Sequence, residues 1–229
     1  MPIYSRRDFL YLSATLAFIS QIPAFATERK GKRHDAAHPV TIKVLQKAFT
    51  SEMIAHKHYI EYTQKALIEK YPNIAYLFHT FALSEKIHAD NYKLILSSLG
   101  SDISDKDFKL TVQNTKSNLK NAAKKEMDKI NSVYLNFIKE LEAEKYEAAI
   151  ISCMYAWKSH QQHEKQISKI LKYSGLFFGL VAKEIEDKNP DFYVCTICGS
   201  TIDEKPLVPC DICNRSASNY QEVLRPSLR

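Results

Sequence analysis

Four cysteines near the C-terminus have the spacing of a metal site. They form two CxxC pairs, Cys195 with Cys198 and Cys210 with Cys213, separated by eleven residues. In each pair a tight turn lets two thiolates approach one ion, so two pairs supply four ligands. Gly199 follows the first pair, where a positive φ is often needed. The pattern predicts a four-thiolate site for iron or zinc, and structural disulfides are the alternative.

A second group of metal-ligand residue types interrupts the apolar faces of four predicted helices. Each face repeats every three or four residues, and the polar positions fall near its middle. The group comprises Glu52 on the first helix, Glu85 and His88 on the second, Glu126 on the third, and His160 and His163 on the fourth. Buried carboxylates are unfavourable unless they are paired or bind a cation. The convergence of all four helices therefore predicts a metal centre inside the bundle.

Two tyrosines lie about two turns further along the same helix faces as two of these carboxylates. Tyr59 follows Glu52 by seven residues, and Tyr134 follows Glu126 by eight. A phenol at such a position can donate a hydrogen bond to a ligand carboxylate, or it can be an aromatic contact in the core. The spacing alone leaves both interpretations open.

Four long helical patterns position these residues. They span about 39–71, 73–99, 117–144 and 146–173. Pro72, Gly100 and Gly175 separate or end them, and the polar connection between the second and third is long enough to cross a bundle from end to end. The pattern predicts an all-α, ferritin-like four-helix bundle with a small C-terminal metal domain. We assign the leader to 27–38, the bundle to 39–175, a linker segment to 176–190 and the four-cysteine domain and tail to 191–229.

The N-terminus has the features of an export signal. Arg6 and Arg7 precede an apolar stretch at 12–22, and a small-x-small cleavage site lies at 24–26. The stretch is too short and too polar to be a stable membrane span. The paired arginines favour a twin-arginine signal peptide over 1–26, with a general secretory signal as the alternative. We therefore expect a periplasmic protein that takes up its metal before export.

The charge distribution argues against a nucleic-acid partner. The formal net charge is +6 over 229 residues. Lysines are spread along the helices, without a basic cluster interleaved with exposed aromatic residues. A modest positive charge that is spread in this way is typical of a solvated surface.

The order of these motifs resembles the rubrerythrin family, in which a ferritin-like di-iron bundle precedes a rubredoxin-like domain with one iron on four cysteines. The likeness covers residues 40–220. It implies that the iron ligands of the bundle include Glu52, Glu85, His88, Glu126 and His163, with Tyr59 and Tyr134 beside them. It further implies that the four cysteines bind iron, that the protein is a homodimer, and that it reduces hydrogen peroxide to water.

Two positions depart from the family pattern. The family usually has a second carboxylate three residues after the helix-three glutamate, and here that residue is Lys129. The fourth helix usually offers Glu-x-x-His, and here the glutamate position is His160. The departures leave Glu85 as the remaining bridge between two metals. A modified di-iron centre, a mixed metal pair and a single metal all fit this pattern.

Two functions follow from these expectations. The first is a peroxide reductase whose bundle metals are served by electrons from the four-cysteine iron, which an unidentified periplasmic donor reduces. Its candidate catalytic residues are Glu52, Glu85, His88, Glu126, His160, His163, Tyr59 and Tyr134. The alternative, motivated by Lys129 and His160, is a periplasmic iron-binding, ferroxidase or metal-sequestering protein without peroxide turnover. Zinc in the four-cysteine site would make that site structural.

Overall fold

A computed structural model of the chain describes residues 38–172 and 185–229. The helices of the bundle are α1 (Pro39–Ile68), α2 (Pro72–Ser98), α3 (Thr115–Asp128), α4 (Tyr134–Leu141) and α5 (Glu147–Lys172). A π-helical segment, Lys129–Val133, joins α3 to α4, so these three elements make one long rod. The predicted all-α, ferritin-like bundle is confirmed, and its four members are α1, α2, this rod and α5.

Some of the predicted segments lie outside the described residues. The signal peptide and the leader up to residue 37 precede them, and Gly175 lies in the gap at 173–184. Among the helices within the described ranges, none combines the length and the apolar character needed to cross a membrane.

The apolar core of the bundle consists of two clusters with the predicted ligands between them. One cluster includes Phe81 and Ile167, and the other includes Tyr92 and Phe137. On each long helix, the ligand positions fall between residues of the first cluster and residues of the second. Burying one such side chain stabilises the fold by about 1.5–3 kcal/mol. Apolar packing on both sides therefore fixes the position of the predicted ligands in the middle of the bundle.

Carboxylates from distant segments cap the N-termini of α1 and α2. Both helices begin with a proline and have no side-chain cap of their own. Glu144, beyond the end of α4, accepts hydrogen bonds from the backbone N–H groups of Val40 and Thr41, both at 2.9 Å. Glu186 accepts one from the N–H of Asn73 at 2.7 Å. These bonds satisfy N–H groups that have no partner within the helix. The positive end of the helix dipole also stabilises the negative charge of each carboxylate.

The C-terminal domain is a small sheet packed on α2 of its own chain. Its strands are β1 (Tyr193–Cys195), β2 (Thr201–Ile202) and β3 (Tyr220–Glu222), in the order β2-β1-β3 with antiparallel pairing. The hydroxyl of Tyr76 donates a hydrogen bond to the carbonyl of Val223. The rings of Tyr76 and Phe192 meet edge to face, with centroids 4.9 Å apart. The domain thus extends the apolar core of the bundle.

Candidate metal centre

The structure brings all six predicted bundle ligands together, and each is at most 1% exposed. Their ligand atoms form two overlapping groups in which all atoms lie within 4.8 Å of one another. We call the first the His88 cluster, which comprises Glu52, Glu85, His88 and His160. We call the second the His163 cluster, which comprises Glu85, Glu126, His160 and His163. Glu85, the predicted bridging residue, belongs to both clusters, and so does His160.

The His163 cluster has the geometry of a metal site. Nδ1 of His163 lies 3.6 Å from Oε1 of Glu85 and 3.7 Å from Oε1 of Glu126. Nδ1 of His160 lies 3.6 Å from the same Glu85 oxygen. Two ligands about 2.1 Å from one tetrahedral ion are separated by roughly 3.4 Å. Glu85 Oε1 and both ring nitrogens of His163 are buried without a hydrogen-bond partner, so the residues present fit a bound cation.

The His88 cluster is organised around Lys129, which points inward. Its Nζ lies 2.6 Å from Oε2 of Glu52 and 3.6 Å from Oε1 of Glu85. The other oxygen of Glu52 accepts a hydrogen bond from the hydroxyl of Tyr134 and lies 3.3 Å from Nε2 of His160. The side chain does not reach outward to solvent, because Lys129 is only 6% exposed.

Both predicted tyrosines touch ligand carboxylates. Tyr59 donates a hydrogen bond to Oε1 of Glu126, and Tyr134 donates one to Oε1 of Glu52. Tyr92, which the sequence did not single out, extends this network because its hydroxyl lies 3.0 Å from that of Tyr134. Tyr59 and Tyr134 thereby orient the carboxylates of Glu126 and Glu52.

A π-helical turn explains why Tyr134 shares a face with Glu126. Eight residues of regular α-helix leave two side chains about 80° out of phase, whereas seven leave them about 20° apart. The π-helical segment that starts at Lys129 accommodates one additional residue. The turn therefore brings Tyr134 back onto the inner face of the rod, where it is fully buried.

The buried charges of the centre perturb one another strongly. Burial by itself raises the pKa of Glu85, but Lys129 and His160 hold it well below its usual range. Burial lowers the pKa of His160, but the surrounding carboxylates, led by Glu85, raise it to about 10. Burial also opposes the charge on Lys129, yet the same carboxylates, led by Glu52, raise the pKa of the ammonium above its ordinary value. In the metal-free protein, these three side chains are therefore charged at neutral pH.

The four cysteines form a second centre with tetrahedral dimensions. Sγ of Cys195 lies 3.7 Å from Sγ of Cys213, and Sγ of Cys198 lies 3.5 Å from Sγ of Cys210. Four sulfurs about 2.3 Å from one ion are roughly 3.8 Å apart. None of the cysteines in the described part of the chain is in a disulfide, so the disulfide alternative is wrong. The expected positive φ at Gly199 is confirmed, at 76°.

The two centres are in direct contact within one chain. The carbonyl of Cys198 lies 3.1 Å from Nε2 of His88. Because a carbonyl only accepts, Nε2 carries the proton, and Nδ1 of His88 faces Oε2 of Glu85 at 3.1 Å. A single imidazole thus connects the backbone of a cysteine ligand to a carboxylate of the bundle centre.

Serines hold the contact between the centres, and the sequence analysis missed them. The carbonyl of Gly199 accepts hydrogen bonds from Ser84 at 2.6 Å and from Ser159 at 3.0 Å. Each serine directly precedes a ligand, Glu85 or His160. The available signal was a serine directly before a predicted ligand on two different helices. The hydrogen-bond acceptor, the carbonyl of Gly199, lies more than a hundred residues from Ser84 along the chain.

A cavity leads to the bundle centre between α1 and α3. Its volume is about 160 Å³, and its lining runs from exposed Lys125 to buried Glu126 and Lys129. Because a water molecule occupies about 30 Å³ of liquid, the cavity has room for only a few molecules of that size. The centre is therefore accessible to a small polar substrate.

A ferritin-like bundle with a buried cluster of carboxylates and imidazoles, joined to a four-cysteine domain, defines a class of protein with two candidate metal centres. The rubrerythrin family model matches residues 43–171, more than half of the sequence. The chain belongs to the rubrerythrin family.

Individual relatives agree with this assignment. Rubrerythrin-2 of Clostridium acetobutylicum is 27% identical over 186 residues, which cover 80% of this chain and 96% of the relative. A putative rubrerythrin of Methanocaldococcus jannaschii is 27% identical over 191 residues, covering 79% and 91%. Fully reduced, all-ferrous nigerythrin superposes with a TM-score of 0.68 at 20% identity, covering 89% of this chain and 98% of that chain. Bacterioferritin of Desulfovibrio desulfuricans gives 0.61 at 22% identity, covering 68% and 91%. These two structures show the same fold.

Proposed function

We propose that the protein reduces hydrogen peroxide to water at the bundle centre, with electrons relayed from a four-cysteine iron. The observation that carries the proposal is the 3.1 Å contact between the Cys198 carbonyl and His88. Through His88, this contact connects a candidate electron-transfer centre to Glu85, a candidate ligand of the centre it would serve. Bound iron would supply the one-electron redox chemistry at both centres.

The residues around the bundle centre have identifiable tasks in this reaction. The cavity between α1 and α3 admits a molecule of the size of peroxide and delivers it to Glu126 and Lys129. Tyr59 and Tyr134 hold the carboxylates in a fixed orientation. The ammonium of Lys129 stabilises negative charge that develops on oxygen as the O–O bond breaks. Two protons and two electrons complete the conversion of one peroxide to two waters.

The direct test is to mix anaerobically reduced, iron-loaded protein with hydrogen peroxide and follow the absorption of the four-cysteine iron. We expect peroxide to disappear as that iron is oxidised. The His88→Gln variant should slow oxidation of the four-cysteine iron by at least about tenfold, because the contact to Cys198 is lost. The His79→Gln variant, changed on the same helix outside both clusters, should behave as the wild type.

Three outcomes would contradict the proposal. If peroxide persists, the bundle centre does not reduce it. If peroxide disappears while the four-cysteine iron stays reduced, the relay is wrong. If the protein instead takes up iron well beyond its fixed sites without consuming peroxide, the metal-sequestering alternative applies.

We also propose that the protein works in the periplasm after twin-arginine export. Arg6 and Arg7 before an apolar stretch support this proposal. Replacing both arginines by lysine should leave the precursor in the cytoplasm, as fractionation would show. Normal export of that variant would contradict the twin-arginine route.

A further inference from the structure

The two clusters of the bundle differ in how their ligand atoms are satisfied. In the His163 cluster, Glu85 Oε1 and both nitrogens of His163 have no hydrogen-bond partner. In the His88 cluster, both oxygens of Glu52 accept hydrogen bonds, from Lys129 and Tyr134, and Nε2 of His88 donates one to the carbonyl of Cys198. Buried polar atoms normally find partners, so the unpartnered atoms mark where a cation binds. Glu85 belongs to both clusters, but the two unpartnered nitrogens of His163 belong to the His163 cluster alone and place the cation there.

The other position already has a cation, the ammonium of Lys129. It lies 2.6 Å from Glu52 and 3.6 Å from Glu85, the two carboxylates of the His88 cluster. An ammonium at these distances makes the contacts that a second metal ion would make with the same oxygens. A divalent ion entering this cluster would have to displace Lys129 from a buried ion pair, which is strongly unfavourable.

The charges of the centre support the same conclusion. Among the described residues, the buried carboxylates of the two clusters are those of Glu52, Glu85 and Glu126. One ammonium and one divalent ion neutralise these three negative charges, with the imidazoles neutral. A second divalent ion beside Lys129 would leave two uncompensated positive charges in the core, which is costly.

We propose that the bundle holds a single metal ion and that the ammonium of Lys129 occupies the second cation position. The ligands of that ion are then Glu85, Glu126, His160 and His163. The metal count does not depend on peroxide being the substrate, so it can be tested separately from the proposed function.

The test is the number of metal ions per chain and their positions. Full-length mature protein is loaded anaerobically with excess ferrous iron, freed of loose metal and analysed by native mass spectrometry. Anomalous diffraction then locates each ion. We expect about two ions per chain, one on the four cysteines and one in the His163 cluster. Three ions, or a bundle ion in the His88 cluster, would overturn the proposal.

Variants at Lys129 should open the second position. Lys129→Glu adds a carboxylate and Lys129→Met removes the ammonium, so each should raise the count by about one ion per chain. The matched control is Lys124→Glu, an exposed charge reversal on the same rod, which should leave the count unchanged. An unchanged count in folded Lys129 variants would overturn the proposal, and if neither variant folds, the wild-type count still decides.

If the protein reduces peroxide as proposed, a single bundle metal also sets the number of electrons that each chain can supply. Each peroxide accepts two electrons and two protons as its O–O bond breaks, and two waters leave. A fully reduced chain with one bundle iron and one four-cysteine iron holds two electrons and should consume about one peroxide. The Lys129→Glu variant, with a second bundle iron, holds three electrons and should consume about 1.5 peroxides per chain. If peroxide is not consumed at all while the metal count is as expected, the function is wrong and the single-metal site stands.

Discussion

At the scale of single residues, the bundle centre shows how one side chain changes the chemistry of a site. Lys129 stands where the family usually has a carboxylate, and the structure places its ammonium 2.6 Å from Glu52. An ammonium thus stands where the family resemblance implies a carboxylate ligand. At position 160, an imidazole stands where the same resemblance implies a bridging carboxylate.

The titration of His160 gives a prediction for the metal-free protein. Its pKa is about 6.5 in an unfolded chain and about 10 in the fold, so its contribution to stability is complete below pH 6.5. The contribution is lost as the pH rises from there toward 10. We expect the unfolding temperature of chelator-treated protein to fall by roughly 10 °C between pH 6.5 and 9.

Two variants separate the contribution of His160 to this decline from that of other titrating groups, such as the cysteine thiols. In the His160→Gln variant the decline should be much shallower, whereas His79→Gln should keep the wild-type slope. Thermal unfolding followed by circular dichroism measures all three. An equal decline in His160→Gln and wild type would assign the pH dependence to other groups.

At the scale of elements, the π-helical turn lets two functional residues share one face. Periodicity predicted one uninterrupted third helix from 117 to 144, but a continuous α-helix would turn Tyr134 away from the centre. The π turn instead accompanies packing of Phe137 and Leu141 in the core of the bundle. No local signal in the five residues of the turn predicts it.

Deleting one residue from the turn tests this interpretation. Removal of exposed Ser132 should give a regular helix with Tyr134 still facing Glu52, because seven residues then separate it from Glu126. The free energy of unfolding should change little. Removing Asn131 as well should rotate Tyr134 by about 100° and cost several kcal/mol, because buried residues beyond it also leave the core. Urea unfolding measures both, and equal losses would show that the turn does not hold one additional residue.

At the scale of the whole molecule, the four-cysteine domain contacts the bundle where the two candidate metal centres meet. Gly199 lies so close to His88 that a Cβ atom there would be 2.4 Å from Nε2. Gly199 therefore has two roles. It adopts the positive φ needed after the first CxxC pair, and it allows the two centres to approach closely. The sequence analysis identified only the first.

The two roles can be separated with a matched pair of substitutions. Gly199→Ala and Gly100→Ala both place a side chain at a positive φ, of 76° and 71°, but an added Cβ at Gly100 has no neighbour within 4 Å. Gly100→Ala should cost about 1–2 kcal/mol. Gly199→Ala should cost more in chemical unfolding and should slow oxidation of the four-cysteine iron by peroxide. Equal effects of the two substitutions would show that the close approach is unimportant.

The sequence by itself determined the bundle, the four-cysteine motif and the six polar residues that converge in the bundle, because helical periodicity and CxxC spacing are local patterns. Tertiary structure alone decided that Lys129 points inward, that Tyr134 reaches Glu52, and that Cys198 contacts His88. Each of these depends on atoms far apart in the chain: 77 residues separate Lys129 from Glu52, and 110 separate Cys198 from His88. Whether a buried lysine excludes a metal or merely lies near one is set by such distances, which no local pattern encodes.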